Sequence, residues 1–142
     1  MILIIGKNRR MPELCTMRDI EQIQDIQLLV DTFYAKIQQD ALLGPVFAER
    51  IAPEAWGKHL QTMYRFWGAQ LLGIMEYQGA PYAKHRTLPI DKPHFDRWIA
   101  LFHQTVDELF RGPRASTAKV KAASIGEVFL GKMRFERGQF KS

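Results

Sequence analysis

The sequence predicts an all-α domain, and three observations carry that prediction. Apolar residues recur at intervals of three and four through most of the 142-residue chain, the period of a helix with one buried face. No segment alternates apolar and polar residues as a half-buried strand would. Glycine and proline fall at a few places and divide the chain into helical stretches. A chain of this length is expected to fold as one domain, large enough to bury a core unaided.

Residues 19–39 carry Ile20, Ile23, Ile26, Val30, Phe33 and Ile37 on one stripe, which predicts the first long helix. Thr16 and Asp19, three residues apart, resemble a capping box before it. "DALLGPVF" then breaks the pattern, with Gly44 and Pro45 reading as a corner. Pro53 suits the first turn of a second helix, which presents Trp56, Leu60, Met63, Trp67 and Leu71 and ends near Gly73. His59 and Phe66 lie on the edge of that stripe. "PYAKHRTL" reads as a short piece between loops. A third long helix, 93–110, places Phe95, Trp98, Phe102, Val106 and Leu109 inward, with Gly112 as its C-terminal cap. A fourth, 115–134, turns Ala118, Ala122, Ile125 and Phe129 inward, and a fraying tail follows. The domain limits are therefore an N-terminal extension at 1–18, a helical domain at 19–135 and a tail at 136–142.

Composition narrows the function classes. The single cysteine, Cys15, leaves no internal disulfide and no Cys-based zinc site, which is consistent with a reducing cytoplasm. No apolar run reaches the roughly 20 residues that span a bilayer. The opening "MILIIGKNRRM" sets its apolar residues before its basic ones, the reverse of a secretory signal. It reads as a non-translocated tail, or as an upstream start whose counterpart is Met11 or Met17. The net charge of +5 is concentrated there: Lys7, Arg9, Arg10 and Arg18 against Glu13 give +3, leaving +2 for the rest. A basic tail on a nearly neutral globule predicts neither a nucleic-acid nor a membrane partner.

Phosphate-binding glycine loops, HExxH and GxSxG are all missing, so histidines and rings remain as candidates. By spacing alone His59 reads as a core or interface histidine, His94 as a solvated first-turn residue and His103 as half exposed. His85 differs, since packing does not require an imidazole on so short an element. A flat apolar cofactor between the second helix and the 80s segment would have His59 on one face and His85 on the other. Phe33, Tyr34, Phe47, Phe66, Trp67, Trp98 and Phe102 exceed the rings a small helical core requires, as a haem pocket would. A plain aromatic core is the competing reading.

"FYAKIQQDALLGPVF" (33–47), "WGKHLQTMYRFWGAQLLG" (56–73), "YQGAPYAKH" (77–85) and "HFDRWIALF" (94–102), in that order, resemble the truncated haemoglobins of the third group. The glycine pairs typical of the first two groups are missing. The resemblance implies a two-over-two globin fold enclosing haem b (iron protoporphyrin IX). It implies His85 as the proximal iron ligand and His59, Tyr34 and Trp98 as the distal, ligand-stabilising residues. Phe47 is implied as the ring wedged on the porphyrin, Met63 as a distal contact, and Phe33, Phe66 and Trp67 as further cofactor contacts. His59 has two roles open to it, gating ligand access or closing on the iron. Lys58, Lys84 and Arg86 are the candidate partners of the propionates. The partners implied are dioxygen and other diatomic ligands and a reductase, for a monomer or weak dimer. Two charge-directed donors, Tyr34 and Trp98, imply slow dioxygen release, which suits nitric-oxide or peroxide detoxification better than delivery. The alternative is a haem-based redox or gas sensor or an electron carrier.

Overall fold

The computed structural model of the protein describes residues 17–74 and 76–138. Cys15, Thr16 and the rest of residues 1–16 lie outside them. Among the described residues the helices run in the order α1 (Ile23–Gln39), α2 (Leu43–Arg50), α3 (Trp56–Leu72), α4 (Pro81–His85), α5 (Lys92–Leu109) and α6 (Pro113–Glu136). A single 3₁₀ turn, Pro53–Ala55, leads into α3. The described residues contain no strand, and none of their helices is long and apolar enough to cross a membrane.

α1 starts at Ile23 rather than at 19 because Asp25 fixes its first turn. The Asp25 carboxylate accepts the N–H groups of Glu21 and Gln22 at 2.9 and 3.0 Å, and Gln22 and Asp25 form the capping box. Asp19 is committed elsewhere. Its two carboxylate oxygens accept the N–H groups of Ala115 and Arg114 at 2.8 Å each and so cap the start of α6. The box of α1 therefore lies six residues beyond the predicted one, whose Thr16 is outside the described residues, and Asp19 serves a different helix.

Gly112 also changes role. α5 ends at an extended Phe110, and Gly112 is the N-cap of α6, with φ +149°. The predicted corner at Gly44 and Pro45 is instead the first turn of α2. There a missing proline N–H costs nothing, and Asp40 supplies the cap by accepting from Leu42 and Leu43 at 3.1 and 3.0 Å. α3 ends at Gly73, as predicted, and the backbone there is left-handed (φ 67°).

α1 packs on both α3 and α5, α5 pairs along its length with α6, and α3 meets α6. This is the two-over-two sandwich. Phe33, Phe102 and Val106 sit at its centre with at most 1% of their surface exposed. Phe33 meets Tyr34, Trp98 and Phe102 edge-on at centroid distances of 4.9, 5.8 and 5.1 Å, the favoured arrangement for aromatic pairs. A smaller cluster, Ile90, Phe95 and Met133, lies under the α4–α5 loop.

Arg18, at the end of the predicted extension, is tied to this body. It donates to both Asp25 oxygens at 2.9 and 2.6 Å, while its carbonyl accepts Arg111 N–H at 3.0 Å. Burial would raise the Asp25 carboxyl, but the Arg18 guanidinium and the two backbone donors overcome it and hold the group below its ordinary 3.8. A lowered carboxyl stabilises the fold above its unfolded pKa and loses that contribution as pH falls through the folded value. Asp25→Asn should therefore cost about 2 kcal/mol at pH 7. That difference from wild type should shrink in chemical denaturation curves taken progressively below pH 3.8.

Candidate functional site

A cavity of about 310 Å³ opens between the layers, within the range of small-molecule sites (roughly 300–1,000 Å³). α1 contributes Tyr34 and α2 contributes Val46 and Phe47. The wall from α3 is His59, Met63, Phe66 and Trp67, at the three- and four-residue steps of one face. α4 contributes His85; α5 adds His94, Phe95 and Trp98; α6 adds Ile125, Gly126 and Phe129. Most of this lining is apolar, so its few polar atoms stand out.

His85 stands at the end of a one-turn helix that Pro81 opens. Its Nδ1 lies 2.6 Å from the Pro81 carbonyl, an acceptor only, so Nδ1 carries the proton. Nε2 is then the ring's free lone pair. Phe129 packs on the ring at 5.2 Å. Burial lowers the His85 pKa, partly offset by the Pro81 bond, and keeps the imidazole neutral at pH 7. An oriented neutral imidazole with one nitrogen fixed on a carbonyl is the arrangement a metal-ligating histidine adopts.

His59 is held between Tyr34 and Trp56, edge-on at 5.0 and 5.4 Å. Its Nε2 is buried without a hydrogen-bond partner. Burial, then the Lys84 charge and the charge His85 takes up in acid, lower its pKa to about 4, so this ring is also neutral at pH 7. The Tyr34 hydroxyl is raised above its ordinary value by burial alone, with no hydrogen bond contributing. It is a protonated donor. Trp98 brings a second donor on the same cavity, its ring stacked on Phe102 at 6.0 Å. The unpartnered buried imidazole nitrogen of His59 in an apolar space carries a desolvation cost of about 1–3 kcal/mol that a polar ligand would relieve.

The structure brings Tyr34, Phe47, His59, Met63, Phe66, Trp67, His85 and Trp98 to this one cavity. Phe33 is the exception among the predicted contacts: it lies behind Tyr34 in the core and does not line the space. His94 is the reverse case. Predicted to be a solvated terminus residue, it is half-buried, lines the cavity and accepts Asp91 N–H on Nδ1 at 3.1 Å. Its four-residue spacing from Trp98 puts the two on one face, a signal present in the sequence. His103, half-buried as expected, bonds the Lys119 carbonyl at 3.0 Å away from this space. Lys58, Lys84 and Arg86 are exposed and outside the lining, and Arg86 pairs with Glu136 at 3.2 Å. Among the described residues no group of three or more His, Cys, Asp or Glu could hold a metal ion by itself.

The Bacterial-like globin family matches residues 19–127. A group 3 truncated hemoglobin of Campylobacter jejuni is 30% identical over 109 residues, spanning 75% of this chain and 86% of that protein. The crystal structure of a group III truncated hemoglobin from Campylobacter jejuni matches with a TM-score of 0.75 at 28% identity, covering 82% of this chain and 95% of that one. Membership of the globins implies a haem cofactor and gas binding, which the apolar cavity and its free imidazole nitrogens fit. The fold, the ordered site and these matches agree: the chain belongs to the bacterial-like globins, and within them to the third group of truncated haemoglobins.

Proposed function

We propose that the protein holds haem b with His85 Nε2 as the axial iron ligand and binds dioxygen and other diatomic ligands beside Tyr34, His59 and Trp98. One observation carries this: His85 has Nδ1 committed to the Pro81 carbonyl and its other nitrogen free beside an apolar cavity. Among the described residues the imidazoles belong to no group of three or more metal-ligating side chains, and a porphyrin would supply the further nitrogens an iron takes. Haem supplies a ferrous iron that binds diatomic gases and exchanges single electrons. The chain supplies the rest. Phe47, Met63, Phe66 and Phe129 exclude water, Pro81 orients His85, and Tyr34 and Trp98 donate to negative charge on a ligand. The same donors favour consumption of nitric oxide or peroxide, with a reductase returning the ferric protein to ferrous, in a monomer or weak dimer.

A second reading is electron transfer or sensing with His59 also on the iron, and the buried, unpartnered His59 Nε2 favours it. Titration with haem should saturate at one per chain, and the reduced protein should then bind dioxygen and carbon monoxide reversibly. A folded protein that takes up no haem contradicts the proposal. The ferric spectrum separates the two readings, since two imidazoles give a six-coordinate low-spin signature and one does not.

A further inference from the structure

The last turn of α6 holds the loop that follows His85. Arg137 donates from Nη1 to the Ile90 carbonyl and from Nη2 to the Leu88 carbonyl, both at 2.8 Å. Arg134 donates from Nε to the Asp91 carboxylate at 2.9 Å. Arg86 and Glu136 add a pair exposed at both ends, which contributes little. The Arg137 contact is of a different kind, because a rigid guanidinium fork that spans two backbone carbonyls fixes the run of the chain between them.

The same face of α6 reaches His85 itself. Phe129 lies 5.2 Å from the His85 ring and 5.4 Å from Tyr82, and Met133, fully buried, packs with Ile90. Phe129, Met133 and Arg137 follow at four-residue steps, so one stripe of one helix touches the imidazole, supports the loop and ties its backbone. α4 needs such support. It is a single turn with no buried residue, too short to be stable by itself. After it the backbone bonds its own neighbours through Leu88 N–H to the His85 carbonyl and Ile90 N–H to Leu88, both 2.9 Å, with Asp91 N–H on His94 Nδ1 at 3.1 Å and a long 3.4 Å bond from Arg50 Nη2 to the Thr87 carbonyl beside them.

We propose that Arg137 is a positioning residue for His85: its two bonds to the Leu88 and Ile90 carbonyls set where the imidazole Nε2 stands in the cavity. The proposal rests on the reading of His85 as axial ligand. Arg137 lies beyond residues 19–127, the stretch that matches the family, so membership does not itself supply this role.

The test compares haem-loaded wild type, Arg137→Gln and Arg137→Lys. It reads the ferrous iron–histidine stretching band, amide hydrogen exchange at Leu88 and Ile90, and haem transfer to excess apomyoglobin. Arg137→Gln should shift and broaden the band, speed exchange at both amides about tenfold or more and speed haem loss, leaving exchange in α1 and α3 unchanged. Arg137→Lys should fall between, since one ammonium cannot span both carbonyls. Faster exchange with the band unmoved would make Arg137 a structural tie only and overturn the proposal, as would no change in either. If Arg137→Gln does not fold, Arg137→Lys is read alone, and a band identical to wild type overturns it. A haem-loaded protein that shows no iron–histidine band even as His59→Gly, while Arg137→Gln still loosens the loop, overturns the His85 reading itself.

Discussion

Tyr34→Phe should speed dioxygen release from the ferrous protein by about 10- to 100-fold. A hydrogen bond to charge in a dry site contributes about 1.5–3 kcal/mol, and each 1.4 kcal/mol is a factor of ten. The phenol qualifies on both counts: burial keeps it protonated, and no protein acceptor among the described residues competes for its proton. The substitution leaves the ring contacts with Phe33 and Phe47, at 4.9 and 5.9 Å, in place, so loss of the hydroxyl is the only designed change. Carbon monoxide carries little negative charge and should leave at nearly the wild-type rate. Stopped-flow displacement of the two ligands measures both. Equal acceleration for both would mean that Tyr34 acts by blocking escape. Trp98→Phe should behave in the same direction, and the double variant should fall short of the sum because the two donors share one acceptor.

Gly112→Ala should cost about 3 kcal/mol and lower the melting temperature by about 10 °C. At φ +149° the backbone is in a region that only glycine visits freely. A Cβ there would also stand 2.5 Å from Asp19 Cγ. Asp19 cannot retreat without releasing Arg114 and Ala115, so strain and a lost cap act together. Asp19→Ala alone should cost about 1–2 kcal/mol. In the Asp19→Ala background Gly112→Ala should lose part of its effect, which thermal denaturation of the four proteins can resolve. Additive costs would show that the clash contributes nothing.

The long helices were legible because each buries one face against neighbours, so apolar spacing records them directly. His85 was legible for the opposite reason, an imidazole on a piece too short to pack. What the spacing could not show is non-local. Asp19 and Ala115 lie far apart in the chain, and nothing around Asp19 tells that its carboxylate is spent on another helix. The same holds for Gly112, which reads locally as the end of α5 and serves as the start of α6. α2 reads as a corner in the sequence because Gly44 and Pro45 are breakers in a helix interior but harmless in a first turn. Phe33 and Tyr34 are adjacent rings pointing to different spaces, the core and the cavity, and the stripe alone could not separate them. His94 marks the limit of reading position without face, since its first-turn place suggested solvent while its register with Trp98 pointed inward.

The most direct measurement is the absorption spectrum of the haem-loaded protein, wild type and His85→Gly, before and after addition of imidazole. His85→Gly should lose the axial-imidazole signature, and free imidazole, occupying the space left against Phe129, should restore it. His59→Gly should leave the proximal signature of the five-coordinate ferrous protein unchanged. If His85→Gly takes up haem with the wild-type spectrum and imidazole changes nothing, His85 does not hold the iron, and the account of the cavity built on it is wrong.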